Sequence, residues 1–189
     1  MGGTIGKLFF FKSGKDKMAD VPASFFDTKV NDIYGKPVNF ADFKGKYKGY
    51  IVVNVASACG LTDGNYRQLV KFHDQYHEKG LKILGFPCNQ FKGQENSCDL
   101  DVAEFVKTKY GVKFDMFTKI EVNGLNCHPL YRFLRRNSSL FNPKTGEAQE
   151  IEWNFAKFIL DAEGKVVAYK GPTDKPETFR PIIEELLSK

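Results

Sequence analysis

Cysteine is scarce in this chain of 189 residues, and its four cysteines form no C-x-x-C pair and no zinc-binding spacing. A disulfide-stapled secreted domain would be shorter and richer in cysteine, so we expect a cytoplasmic protein with mostly reduced thiols. No apolar run approaches the ~20 residues that cross a bilayer. No stripe of Lys and Arg marks a nucleic-acid interface, so the composition argues against membrane-spanning and nucleic-acid-binding proteins.

The amino-terminal segment is more basic than the rest of the chain. Four lysines and one aspartate give residues 1–18 a net charge of +3, out of +5 for the whole sequence. We expect residues 1–19 to form a flexible basic leader. Two alternatives stay open. Gly2 could carry a myristoyl group that adds weak membrane-surface contact, although Gly6 departs from the M-G-x-x-x-[ST] pattern. Alternatively, translation could begin at Met18.

Apolar segments and turn signals predict one α/β domain over residues 20–189. Residues 50–56 and 81–86 are predicted as strands, and residues 62–79 as a helix between them, so these strands should be parallel. This order, followed by an antiparallel half, is the thioredoxin plan, with a central mixed β-sheet flanked by helices. The remaining predicted elements are an amino-terminal hairpin within 23–47, helices at 101–109, 129–136 and 181–187, and a hairpin joining 155–160 to 165–169.

Cys59 lies where the first central strand turns into the first helix. A helix amino terminus stabilises a thiolate over a thiol, and the thiolate is the nucleophile. Thr62 stands three residues later, where a disulfide oxidoreductase carries its second cysteine. The spacing therefore disfavours a thiol–disulfide oxidoreductase and favours attack on an oxygen atom.

Three sequence blocks follow one another along the domain. They are Asn-Val-Ala-Ser-Ala-Cys-Gly-Leu-Thr at 54–62, Gly-Phe-Pro-Cys-Asn-Gln-Phe at 85–91 with Gln-Glu-Asn at 94–96, and Trp-Asn-Phe-Ala-Lys-Phe at 153–158. Together they resemble the glutathione peroxidases, over about residues 20–187. The resemblance implies an enzyme that reduces hydrogen peroxide and organic or phospholipid hydroperoxides without a metal or bound cofactor.

The resemblance also implies a catalytic tetrad. Cys59 matches the peroxidatic position, and Gln94, Trp153 and Asn154 match the other three members. Their amide and indole N–H groups are neutral donors, which we expect to surround the thiolate and stabilise its charge. Gln90 competes with Gln94 on the residues alone, and the resemblance selects Gln94.

The reducing co-substrate is inferred from the position of Lys107. Many cysteine-type relatives carry a resolving cysteine there and use thioredoxin, whereas Lys107 resembles the glutathione-using branch. Glutathione is therefore the expected donor, and a thioredoxin-dependent cycle with Cys98 as resolving cysteine is the alternative. We expect Cys88 to be structural and Cys127 to have no role in the reaction.

The chain resembles the monomeric phospholipid hydroperoxide glutathione peroxidases most, because the segment between the third helix and Trp153 is short. We therefore expect a monomer, although Leu61 and Glu152 replace basic residues that can occur in those relatives. Three other hypotheses stay open: a non-catalytic peroxide sensor, a Cys59 that replaces a natural selenocysteine, and zinc binding by His73 and His77. For the histidines we expect a pair on the helix surface.

Overall fold

The fold contains nine strands and four α-helices within residues 21–189, the part of the chain that this computed structural model describes. The predicted leader of residues 1–19, with Gly2 and Met18, lies outside the described residues. The strands are β1 (Lys29–Asn31), β2 (Pro37–Asn39), β3 (Gly49–Val55), β4 (Leu81–Pro87), β5 (Asp115–Met116), β6 (Phe141–Asn142), β7 (Glu147–Ala148), β8 (Lys157–Asp161) and β9 (Val166–Lys170). The helices are α1 (Thr62–Tyr76), α2 (Asp99–Tyr110), α3 (Pro129–Arg136) and α4 (Arg180–Ser188).

A five-stranded mixed sheet organises the molecule, with the strand order β5-β4-β3-β8-β9. Strand β4 runs parallel to both β3 and β5, whereas β8 runs antiparallel to both β3 and β9. Strands β1 and β2 form the predicted amino-terminal hairpin, and β6 and β7 form a second antiparallel pair. The prediction of a central mixed sheet flanked by helices is confirmed.

Both faces of the sheet are buried, which explains the continuous apolar run in its central strand. Successive side chains of a strand point to opposite faces. In β3, Ile51 and Val53 join the core formed with α1, α2 and α4, whereas Tyr50 and Val52 join the core formed with α3. The sheet therefore separates two hydrophobic cores.

Helix α1 packs on the sheet through one apolar face. Tyr66, Leu69 and Phe72 are buried at helical spacing along that face. A 3-10 turn over His77–Lys79 continues the helix to Gly80, whose φ of 104° lies in the left-handed region that glycine tolerates best. The predicted helix over 62–79 is thus an α-helix with a tighter last turn.

The histidine pair on α1 differs from the prediction. The His73 and His77 rings stack with centroids 4.6 Å apart, and His73 is buried, so the expected surface position is wrong for His73. Burial and the neighbouring His77 lower the pKa of His73 below its usual 6.5. Among residues 21–189, no group of three or more His, Cys, Asp and Glu is arranged to hold a metal ion.

No helix within residues 21–189 combines the length and apolarity that crossing a membrane requires.

Strand direction brings three distant segments of the chain to one edge of the sheet. Because β3 and β4 are parallel, both end at this edge, with Val55 opposite Pro87. Strand β8 is antiparallel to β3 and begins at the same edge, with Lys157 opposite Val53. The segments after β3, after β4 and before β8 therefore meet there, as expected for a site at the carboxyl ends of parallel strands.

Candidate active site

Cys59 lies in a tight turn between β3 and α1, and it is only 9% exposed. Its Sγ accepts a hydrogen bond from the backbone N–H of Leu61 at 3.4 Å. The Thr62 hydroxyl donates to the Ala56 carbonyl at 2.7 Å and accepts from the Cys59 N–H at 3.2 Å. Thr62 thus braces the turn at the position where a disulfide oxidoreductase would carry a second cysteine.

Gln94 connects this turn to Asn154. The Gln94 carbonyl accepts a hydrogen bond from the backbone N–H of Ala58 at 3.0 Å, one residue before Cys59. Its side-chain Oε1 accepts from Asn154 Nδ2 at 2.9 Å. Among the described residues, Cys59 Sγ accepts its hydrogen bond from Leu61 rather than from the predicted tetrad donors. Gln94 and Asn154 are therefore joined directly by a hydrogen bond, and Gln94 also connects them to the turn that carries Cys59.

Trp153, the fourth predicted site residue, is held by the loop that follows β4. Its ring contacts that of Phe91, with 5.7 Å between centroids, and Lys92 Nζ lies 5.5 Å from the centroid of the indole. Trp153 is half-buried, so part of the ring faces solvent. An amphipathic ring in this position can contact apolar substrate while offering an N–H donor.

Gln90, the competitor of Gln94, is occupied elsewhere. Its Oε1 accepts from the backbone N–H groups of Val122 and Asn123 at 2.7 and 3.0 Å. Its Nε2 donates to the Asn123 carbonyl at 3.0 Å. The Gln90 amide thus fixes the loop after β5, which supports the choice of Gln94 as the site residue.

Asn54 is a residue of the site to which the sequence analysis assigned no role. It is fully buried in β3, where its Nδ2 donates to the Trp153 carbonyl at 3.1 Å and its Oδ1 accepts from the Ala156 N–H at 3.1 Å. The Asn54 carbonyl accepts from the N–H of Phe155 at 2.7 Å, and Phe155 has a φ of 68°. Asn54 therefore fixes the segment that carries Trp153 and Asn154. Its signal in the sequence is a single amide within a β-branched run.

Lys157 is a second polar residue in a buried strand. It is fully buried, and its Nζ donates to the carbonyls of Pro172 and Asp174 at 3.3 and 2.6 Å. Burial lowers the pKa of Lys157 to about 8, and the charge of Asp174 opposes this shift. The lysine of the third sequence block thus anchors the loop between β9 and α4.

The other three cysteines have different environments from Cys59. Cys88 is buried, and burial raises the pKa of its thiol to about 11, which suits a structural role. Cys127 is also buried, with its Sγ 3.1 Å from the Val122 carbonyl. Cys98 is exposed and immediately precedes α2. Its exposure keeps Cys98 open as an alternative resolving cysteine.

Comparison with known proteins agrees with this geometry. The family model described as "Glutathione peroxidase" matches residues 25–135, and a tomato (Solanum lycopersicum) protein named "Probable phospholipid hydroperoxide glutathione peroxidase" is 43% identical over 166 residues. That match covers 88% of this chain and 94% of the tomato protein. The chain belongs to the glutathione peroxidase family.

Solved structures agree with this assignment. The crystal structure of T. cruzi GPX1 is 33% identical, with a TM-score of 0.68, and the match covers 87% of this chain and 97% of the other. A thiol:disulfide interchange protein of the thioredoxin family from Chlorobium tepidum is 20% identical, with a TM-score of 0.60. Its match covers 89% of this chain and 97% of that one. The predicted thioredoxin-like fold of this family member is therefore confirmed.

The Asn54 contacts yield a testable prediction. Replacing Asn54 with Ala leaves the part-buried Trp153 carbonyl and the buried Ala156 N–H without their partner. We expect the free energy of unfolding to fall by about 2–6 kcal/mol, because each of the two unpaired groups costs about 1–3 kcal/mol. Urea denaturation at neutral pH measures this loss. Asn31→Ala, at an exposed position, is the matched control, and equal small losses in the two variants would contradict the assigned role.

Proposed function

We propose that this member of the glutathione peroxidase family reduces hydroperoxides through Cys59. The observation that carries the proposal is the pair of hydrogen bonds that connects the Cys59 turn to Gln94 and Gln94 to Asn154. The Cys59 thiolate attacks the distal oxygen of ROOH, forming an S–O bond as the O–O bond breaks. The leaving alkoxide takes a proton and departs as ROH, and Cys59 remains as a sulfenic acid.

Thiols complete the proposed cycle. A first thiol condenses with the Cys59 sulfenic acid, which gives a mixed disulfide and water. A second thiol attacks that disulfide, releases Cys59 as a thiolate and leaves in an oxidised disulfide. The cycle therefore consumes two thiols and one hydroperoxide for each alcohol formed.

The other tetrad members would act on charge and position. Gln94 Oε1 accepts a hydrogen bond from Asn154. The NH₂ group of the Gln94 side chain is then the part of this amide that would donate to negative charge on sulfur or oxygen. The Trp153 indole N–H is a further neutral donor beside the half-buried ring. Neutral donors stabilise a thiolate and a leaving alkoxide without forming an ion pair with an apolar hydroperoxide.

Glutathione is the proposed reductant. Lys107 is exposed on α2, at the position where relatives that use thioredoxin carry a resolving cysteine. Without that cysteine, an external thiol must attack the sulfenic acid directly. The exposed Cys98 supports the second candidate, a cycle in which Cys98 resolves Cys59 and thioredoxin reduces the disulfide.

We propose lipid hydroperoxides as substrates, and a monomeric state, because the connection between α3 and Trp153 is short. Residues 137–152 between α3 and Trp153 hold only the small β6–β7 hairpin. The tomato relative is named for phospholipid hydroperoxides. A site without a large insertion at its rim suits hydroperoxides that are attached to lipids as well as small ones.

Steady-state turnover tests the proposed function. We expect the full chain to oxidise NADPH in the presence of glutathione, glutathione reductase and phosphatidylcholine hydroperoxide. Cys59→Ser should lower the rate by at least about 10³-fold, since a serine hydroxyl cannot replace the thiolate as the nucleophile. Cys98→Ser should keep the glutathione-dependent rate. Equal rates for wild type and Cys59→Ser would contradict the proposal.

A gain of function tests the inference about the reductant. We expect Lys107→Cys to raise turnover with thioredoxin and thioredoxin reductase by roughly tenfold or more, because a tethered thiol acts at a high effective concentration. Lys109→Cys, two residues later on the exposed part of α2, is the matched control. If wild type already turns over fully with thioredoxin and Cys98→Ser abolishes that turnover, the second candidate replaces the glutathione cycle.

A further inference from the structure

Glu95 is a buried carboxyl group directly behind the Cys59 turn, and the proposed mechanism does not use it. It is fully buried, and among the described residues neither of its carboxylate oxygens has a hydrogen-bond partner. Its backbone N–H donates to Asn89 Oδ1 at 2.9 Å, which fixes the residue in place. An ionised carboxylate without partners is costly in such an environment, so the fold favours its neutral form.

Two buried hydroxyl groups lie near this carboxyl group, on either side of Cys59 in the sequence. Ser57, two residues before Cys59, lies close enough for its hydroxyl and backbone N–H to lower the pKa of Glu95, although neither group meets the geometry of a hydrogen bond to the carboxyl oxygens. Tyr66 lies on α1, and burial together with the charge of Glu95 raises the pKa of its phenol. Among residues 21–189, the hydroxyl oxygens of Ser57 and Tyr66 also lack hydrogen-bond partners. The loop after β3, the loop after β4 and α1 thus each contribute one of these oxygen-bearing groups.

The charged groups around Glu95 partly offset one another. Burial raises the pKa of Glu95 to about 7, whereas Ser57 and the charge of Lys119 lower it and Asp99 raises it. The charge of Glu95 also adds to the raised pKa of the buried Cys88 thiol. This carboxyl group therefore changes its charge within the range in which a cellular enzyme works.

A change in the charge of Glu95 acts on the candidate active site through the adjacent residue Gln94. Gln94 carries both the carbonyl that accepts from Ala58 and the side chain that accepts from Asn154. A carboxylate at residue 95 would attract the hydroxyl and N–H of Ser57 more strongly than a neutral acid does. Since Ser57 and Ala58 are adjacent, this attraction acts directly on the turn that carries Cys59.

We propose that Glu95 is a positioning residue for Cys59: the neutral acid leaves the turn in place, whereas the carboxylate attracts Ser57 and thereby distorts the turn. The inference rests on the proposed role of Cys59 as the peroxidatic nucleophile. It implies that the rate of Cys59 oxidation falls as the pH rises through about 7, the value at which Glu95 loses its proton. A carboxyl group that served packing alone would leave this pH profile unchanged.

The pH profile of Glu95→Gln tests the proposal, because Gln keeps the shape and donor of the neutral acid and cannot ionise. Stopped-flow oxidation of the reduced enzyme by hydrogen peroxide gives the rate constant between pH 5.5 and 9. For wild type we expect a falling limb near pH 7, and for Glu95→Gln a rate that rises or stays level. Glu104→Gln, the same change on the exposed face of α2, should retain the wild-type profile.

Ser57→Ala is the second variant, and it tests the role of Glu95 if Glu95→Gln does not fold. Ser57 lowers the pKa of Glu95, so its removal should shift the falling limb to higher pH. A profile that keeps the wild-type limb in either folded variant would overturn the proposal.

The emission of Trp153, the only tryptophan of the chain, reports on the site without turnover. We expect the resting wild-type enzyme to show an emission change near pH 7 that Glu95→Gln lacks. If Cys59 does not react with peroxide at all, the proposed function fails, and this emission change still decides the role of Glu95. Its persistence in Glu95→Gln would assign it to another group, such as Lys157, whose pKa is about 8.

Discussion

The hydrogen bond from the Ala58 N–H to the Gln94 carbonyl is the contact on which the site depends. It joins the turn after β3 to the loop after β4, two segments that belong to different strands of the sheet. The parallel pairing of these strands places both loops at one edge, and the antiparallel β8 brings Asn154 to the same place. The candidate site is thus assembled from three loops that a rigid sheet positions, an arrangement that is usual for catalytic residues.

Buried polar side chains complete this scaffold. Asn54 and Lys157 lie in adjacent central strands, and both use their side chains to hold backbone groups of neighbouring loops. Each contributes a strong local constraint, because a buried polar group is stable only when its hydrogen bonds are made. Glu95 differs from them, since its carboxyl oxygens lack such partners among the described residues. This contrast is the reason to assign it a role in the reaction rather than in packing.

The sequence predicts the parts of the fold whose local signals are long and regular. The β-branched run of β3 and the apolar face of α1 are of this kind, and Pro129 at the first position of α3 marks its start. The two-residue strands β5, β6 and β7 are too short to give a periodic signal. Strand β5 is recognised only by its pairing with the distant β4, and β6 and β7 only by their pairing with each other. Cys59 is predicted to be the nucleophile from its place between a strand and a helix. The division of roles between Gln90 and Gln94, the clamp at Asn54 and the burial of His73 depend on tertiary contacts.

The most direct test of the central claim is to identify the cysteine that a hydroperoxide oxidises first. Reduced protein is treated with one equivalent of an organic hydroperoxide in the presence of dimedone, which captures sulfenic acids, and its peptides are analysed by mass spectrometry. We expect an adduct on Cys59 and unmodified thiols at Cys88, Cys98 and Cys127. An adduct on Cys98 with Cys59 unmodified would contradict it, because the nucleophile would then lie outside the turn that Gln94 and Thr62 hold in place.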